Sequence, residues 1–221
     1  MTEKQVIVIH GIFHSGTNIL KSLIGDHSDV HNVIGETDKL PKINWQRQKS
    51  SNYIIFKTPY VQNENKYPKN YKLISIVRNP FFVYSSLLKR FNRNIPKDVN
   101  LFNEYKKLKT LTRTQIIKYE DLFEENFLSN LFSSIGLKWD NSILSKKHKI
   151  FDNVRKKEYG KHREHNIFRE NQINEKFENK NDITKIELTS KDIEYVNLHR
   201  NFWEKYYPDT AGLEKILSDR T

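Results

Sequence analysis

The chain of 221 residues carries 38 lysines and arginines against 27 acidic residues, a formal charge of +11, and no cysteine. That length predicts one domain over residues 1–221, and the lack of cysteine excludes disulfides, thiolate metal sites and cysteine nucleophiles. No apolar run is long enough to span a bilayer, and "MTEKQ" passes straight into "VIVI", too short for a signal-peptide core, so the sequence predicts a soluble cytoplasmic protein. The positive charge favours anionic partners. Lysine, asparagine and isoleucine are also what an AT-rich coding sequence supplies in excess, so charge alone selects no ligand.

In chain order, "QVIVIH" (5–10) is a β-branched, continuously apolar run that predicts a strand buried on both faces of a parallel sheet. A glycine-bearing loop and a helix follow, with Ile19, Leu20, Leu23 and Ile24 at helical spacing. "NYIIFK" (52–57) and "YKLISIV" (71–77) predict two further buried strands, each ending in a proline-bearing turn, and Pro80 fits the first turn of a helix through "FFVYSSLLKRF". A helix over 99–109, a strand over 114–119 and a helix over 124–136 stopped by Gly136 complete this half. Residues 145–188 lose all periodicity and read as an irregular, possible lid segment. A last helix starts near Thr189 or Ser190 and runs through "EYVNLHRNFWEKYY". Strands alternating with helices predict an α/β fold, a P-loop-like three-layer sandwich around a mainly parallel sheet, with chemistry in the turns at the carboxyl ends of its strands.

The first of those turns lies in "VIVIHGIFHSGTNIL" (6–20). A nucleotide-triphosphatase loop reads G-x-x-x-x-G-K-[ST]. Gly11 and Gly16 keep its separation, but Thr17 stands where the lysine belongs. Backbone amides at a helix N-terminus can still gather an oxyanion, while the loss of the lysine argues against ATP hydrolysis. A tight strand-to-helix turn with no ligand explains this loop alone equally well. The turn after the third strand offers a second anion site, because Arg78 leaves a buried strand end and Ser86 follows two helical turns on. Taken alone, Arg78 reads better as half of a structural salt bridge to Glu or Asp in a neighbouring turn; paired with the loop, it reads better as an anion ligand.

Taken together and in this order, "SGTNILKSLIGDH…IGE", "KLISIVRNPFFVYSSLLKR" and "IIKYEDL" resemble the sulfotransferase family, over roughly residues 5–140. Members of that family transfer sulfuryl groups from 3′-phosphoadenosine 5′-phosphosulfate (PAPS), and the pattern is nearest to the tyrosylprotein and bacterial-type branch. The resemblance implies that His14, Ser15, Gly16, Thr17 and Asn18 hold the 5′-phosphosulfate, that Arg78 and Ser86 hold the 3′-phosphate, and that Tyr119 lies near the nucleotide. It implies Glu36 of "IGE" as the base that deprotonates the acceptor, and Lys57 of "FKTPY" as support for the sulfuryl group, with no metal. The small-molecule branch has a histidine base two residues after such a lysine; this chain has Pro59 there.

His14 departs from the pattern, which has lysine or arginine at that place. Three readings stand: a histidine protonated by the adjacent anion, a histidine acting as base, or a loop with lost or redirected activity. The first is preferred. Glu36 has its own structural alternative as a helix-capping or ion-paired residue. The basic stretch 153–166 is either a cover for the 3′-phosphate or a solvated charge run. His162 and His165, with no carboxylate or thiolate at ligand spacing, do not predict zinc. Two other functions remain open at the level of sequence. One is a nucleotide or small-molecule kinase with an altered loop, and the other is a non-enzymatic module for polyanions or nucleic acid. The former lacks the loop lysine; the latter lacks an aromatic RNA-binding signature and an arginine-rich helix. The acceptor, a sugar, lipid or small metabolite, leaves no pattern.

Overall fold

The computed structural model describes residues 4–37, 40–41, 52–97, 99–145, 179 and 181–219. The first strand, β1 (Gln5–Gly11), is the one announced by "QVIVIH" and lies in the middle of a parallel sheet. Among the described residues the sheet has five strands in the order β2-β3-β1-β4-β5, with β2 at Val30–Glu36, β3 at Tyr53–Lys57, β4 at Lys72–Val77 and β5 at Gln115–Lys118. Every pairing between neighbours is parallel. The predicted α/β sandwich is therefore the observed architecture.

Strand alternation divides the apolar residues between two faces. Ile7 and Ile9 of β1, Ile74 and Ile76 of β4 and Ile117 of β5 point to one side, where they meet Leu20, Leu23 and Ile24 of α1 (Thr17–Gly25). Leu128, Leu131 and Phe132 of α4 (Glu125–Ser134) cover the same side. On the opposite side Val77 packs under α2 (Pro80–Arg90) and α3 (Leu101–Leu108), through Phe81, Leu87, Phe102 and Tyr105. Val6, Val8, Phe56, Tyr67 and Leu73 form a smaller cluster of their own. Each fully buried Leu, Ile or Phe contributes about 1.5–3 kcal/mol from its removal from water.

Two elements differ from the sequence expectation. Strand β2, "VHNVIGE", was not anticipated: it is an edge strand whose pairing with β3 shifts register between Val30 and Asn32 and between Ile34 and Glu36, so its apolar residues keep no regular period. The last helix is also broken. A capping box between Thr189 and Asp192 starts α6 (Ser190–Leu198), as expected of Thr189, but the chain leaves helical geometry at His199 and resumes as α7 (Arg200–Trp203). The break turns Trp203 fully inward, where its Nε1 donates to Val196 O at 3.1 Å, while the His199 ring stacks on Phe102 with centroids 4.1 Å apart. One more helix, α8 (Ala211–Ser218), follows; α5 (Ser142–Ser145) is a single turn. Residues 146–178 and 180, which include most of the irregular segment, the 153–166 stretch, His162 and His165, lie outside the described residues.

Two of the buried polar side chains lie side by side in the middle of the sheet. His10 of β1 and Ser75 of β4 stand opposite each other in register, both fully buried, and neither His10 ring nitrogen nor Ser75 Oγ has a hydrogen-bond partner. Burial lowers the His10 pKa from its ordinary 6.5 to about 4, against a weaker opposite pull from Glu64. The Glu64 carboxylate, itself buried, accepts hydrogen bonds from the Thr112 and Arg113 amides and from the Thr112 and Thr114 hydroxyls. Burial opposes its ionisation, but these four donors outweigh it and bring its pKa down to about 2.

Candidate functional site

The loop from β1 to α1 is shaped by its two glycines. A Cβ on Gly11 would stand 2.5 Å from Ile76 O, so β1 can pass β4 this closely only with glycine there. Gly16 has φ +94°, and a Cβ on it would lie 2.5 Å from the Tyr119 ring. Gly16 is also the N-cap of α1 and caps it with no side chain, and the first turn carries no acidic residue. The positive end of that helix therefore faces the loop without a carboxylate of its own. Ser15 is fully buried, and its hydroxyl closes the loop by donating to Ile12 O at 2.8 Å. Thr17, half-buried, opens the helix.

Two clusters flank this loop, one at the end of β4 and one at the ends of β2 and β3. In the first, Arg78 leaves β4 with its guanidinium laid over the Tyr119 ring, 4.4 Å from the centroid. Its Nη1 donates to His14 O at 3.2 Å and its Nε to Asn181 Oδ1 at 2.6 Å. The Tyr105 hydroxyl donates to the Arg78 carbonyl oxygen. Burial lowers the Arg78 pKa, while Tyr119 and Glu120 pull the other way. The next residue, Asn79, caps α2 by accepting from the Phe81 amide, and Pro80 takes the first helical position, as "RNP" predicts.

Ser86 comes two turns along α2 and faces the loop, with Oγ 2.5 Å from His14 Nδ1. One turn further, Arg90 Nη1 is 3.0 Å from His14 Nε2. A guanidinium only donates, so His14 Nε2 accepts, and the ring proton sits on Nδ1 directed at Ser86. His14 adopts this position with φ +54°, in the left-handed region. Arg78, Ser86 and His14, picked from separate stretches of the sequence, thus meet in one place. Tyr119 lies beneath them, 1% exposed, supporting both Gly16 and Arg78 from below.

In the second cluster, Glu36 and Lys57 are register partners at the ends of β2 and β3, joined as an ion pair. Lys57 is 5% exposed, and its Nζ also donates to Asn18 Oδ1 at 3.0 Å. Asn18 belongs to the first turn of α1, so this lysine reaches the same helix end that the loop presents. No group of three or more His, Asp or Glu side chains placed to hold a metal occurs among the described residues. A cavity of about 310 Å³ between α2, α3 and α6, lined by Tyr84, Leu87, Phe102 and Tyr195 among others, shares no residue with either cluster.

No protein-family model matches the chain, and no curated protein matches it. Among solved structures, the chain is similar to mouse sulfotransferase SULT7A1 complexed with PAP, at 18% identity and a TM-score of 0.44, covering 66% of this chain and 62% of that one. It is similar to the sulfotransferase domain from the curacin biosynthetic pathway at 15% identity and a TM-score of 0.44, covering 66% of this chain and 78% of that domain. The match thus spans less than two thirds of the length of the mouse protein. Likeness of this degree assigns no function.

Several residues of the site carried no signal in the sequence. Asn181 and Tyr207 reach Arg78 and Glu120 across separations of 103 and 87 residues. Arg90 was one cation among many on a basic helix end, and Tyr105 one aromatic on an amphipathic helix. Glu120 lies in "YEDL", a stretch the sequence marked, but its own role emerges only from its contacts with Asn79, Asn181 and Tyr207. No helix among the described residues is long and apolar enough to cross a membrane.

Proposed function

We propose that this protein is a sulfotransferase that moves a sulfuryl group from PAPS to a hydroxyl or amine of an acceptor. The observation that carries the reading is the convergence of two separate cationic clusters, Arg78 with His14 and Ser86, and Lys57 with Glu36 and Asn18, on one glycine-bearing loop at a helix N-terminus. A donor with a phosphate at each end of a ribose requires two such anion sites at a fixed separation; a nucleoside triphosphate requires one extended one. The cation absent from position 17 is supplied from the neighbouring strand, because Lys57 reaches the first turn of α1.

In this reading Arg78 and Ser86 bind the 3′-phosphate, and the loop amides with Thr17 and Asn18 bind the 5′-phosphosulfate. His14 lies between them and accepts from Arg90 at Nε2; in this reading it does the work of the lysine by taking a proton there as Arg90 turns from the ring to the anion. PAPS supplies a sulfuryl group already activated by its phosphate leaving group. The acceptor oxygen or nitrogen forms a bond to sulfur as the bond from sulfur to the 5′-phosphate oxygen breaks, releasing adenosine 3′,5′-bisphosphate. Glu36 accepts the acceptor proton. Lys57 neutralises charge on the transferring group, and its move from Glu36 toward that group restores the basicity of the carboxylate at the moment it is needed. A soluble enzyme of the cytoplasm fits this composition.

Calorimetric titration with adenosine 3′,5′-bisphosphate, beside ATP and AMP, tests the reading. Selective binding of the bisphosphate, lost in Arg78→Ala, supports it. Equal affinity for all three nucleotides, or none, overturns it and returns the kinase and polyanion-binding alternatives.

A further inference from the structure

We propose that Asn181 is a positioning residue: a neutral amide interposed between the Arg78 guanidinium and the Glu120 carboxylate, which orients the arginine toward an anionic ligand without an ion pair to that carboxylate. This rests on the reading of Arg78 as a phosphate ligand. Arg78 Nε donates to Asn181 Oδ1 at 2.6 Å, and Asn181 Nδ2 donates to Glu120 Oε1 at 2.5 Å. The amide can face only one way, since a guanidinium has no acceptor and an ionised carboxylate no donor.

Glu120 is itself fixed at both oxygens. Oε1 also accepts from the Asn79 amide at 3.3 Å, and Oε2 accepts from the Tyr207 hydroxyl at 2.7 Å. Its hydrogen bonding therefore reaches Arg78 through the Asn181 amide, while its charge is felt by the guanidinium only across the intervening side chain. Direct contact would be different in kind. A carboxylate on a guanidinium forms a strong, two-point pair, and an incoming phosphate would have to displace it. With the amide between them, the contacts of the arginine described above are with neutral groups: the Asn181 oxygen, the His14 carbonyl and the Tyr119 ring.

The same spacing explains why Asn181 matters although it lies far along the chain. Asparagine has the length to bridge Arg78 and Glu120 and carries no charge of its own. Aspartate would have the same shape and would place a carboxylate on Arg78, turning an orienting contact into a competing one.

The test uses the full chain and its variants Asn181→Ala, Asn181→Asp and the double variant Asn181→Asp with Glu120→Gln, which removes the repulsion the aspartate would otherwise meet. Adenosine 3′,5′-bisphosphate and inorganic pyrophosphate are titrated calorimetrically, and thermal melting is followed in parallel. Asn181→Ala should weaken nucleotide binding by about tenfold, the effect of one lost charge-assisted hydrogen bond. The double variant should bind still more weakly while melting at or above the temperature of Asn181→Ala, a loss of binding that a structural defect would not produce. Wild-type affinity in either variant overturns the proposal. If Asn181→Asp fails to fold, the double variant and the alanine variant decide. Wild-type protein that binds pyrophosphate through Arg78 but not the nucleotide overturns the sulfotransferase reading alone, and the same variants then judge Asn181 against pyrophosphate. Binding of neither ligand overturns both.

Discussion

Glu36 and Lys57 face each other across the ends of two parallel strands and form an ion pair, with the lysine almost wholly enclosed and the glutamate open to solvent. This asymmetry separates the roles of the two residues. Loss of Lys57 removes a buried cation that holds the helix end through Asn18, whereas loss of the Glu36 charge leaves that contact in place.

Glu36→Gln should therefore leave the affinity for adenosine 3′,5′-bisphosphate within about threefold of wild type and lower the rate of sulfuryl transfer by roughly a hundredfold or more, the range expected for removal of a general base. Radiolabelled PAPS with an acceptor library, followed by rate measurement on any acceptor found, provides the check. Undiminished turnover would remove Glu36 from the role of base.

Gly16→Ala should destabilise the protein by about 2–4 kcal/mol, from backbone strain at φ +94° and overpacking against Tyr119. Urea denaturation measures the loss. In a double-mutant cycle, Tyr119→Leu should make the second change cost less than the sum of the two, since the ring that clashes with the added methyl is gone. Strict additivity would mean that the strain lies in the backbone alone.

His10 makes stability depend on pH. Its folded pKa, about 4, lies below its ordinary 6.5, so between these values the unfolded chain binds a proton that the folded one excludes. The stabilisation from a neutral His10 is complete above about 6.5 and is lost as pH falls toward 4. Denaturation midpoints measured from pH 7.5 to 4.5 should decline, and His10→Leu should flatten the decline. Below that range Glu64 takes over: its stabilising contribution, present above the ordinary carboxylate value of 4.5, disappears as pH falls toward 2. A profile unchanged by His10→Leu would show that other groups control the acid limb.

Tyr105→Phe should cost about 1–2 kcal/mol in urea, because the fully buried tyrosine donates to the Arg78 carbonyl and its loss leaves that oxygen without this donor. A neutral result would mean that the carbonyl finds a substitute donor.

The parts of this molecule that were legible in the sequence are those whose causes are local. "QVIVIH", "YIIFK" and "KLISIV" state their strands because burial on both faces demands unbroken apolar runs, and "RNP" states a helix start because Asn79 caps and Pro80 fits the first turn. Strand β2 hid its identity because an irregular edge strand needs no strict alternation. The end of the last helix was misread because the break at His199 is set by where Trp203 must be buried, a tertiary cause. The site residues marked by motif, among them His14, Arg78, Ser86, Glu36 and Lys57, fall into two clusters. Asn181, Arg90 and Tyr105 were hidden because nothing in their own neighbourhoods distinguishes them, and only the folded chain brings them to the loop.

The strand order has one further consequence. With β1 at the centre, the chain leaves β1 through a helix on one face of the sheet and leaves the adjacent β4 through a helix on the other. The backbones diverge where these two strands end, so the Gly11–Gly16 turn and Arg78 stand side by side at the carboxyl edge of the sheet, joined by the hydrogen bond from Arg78 Nη1 to His14 O. This placement follows from connectivity and does not depend on any one side chain. Replacing His14 by lysine therefore changes the chemistry of the turn and leaves its position beside Arg78 as it is.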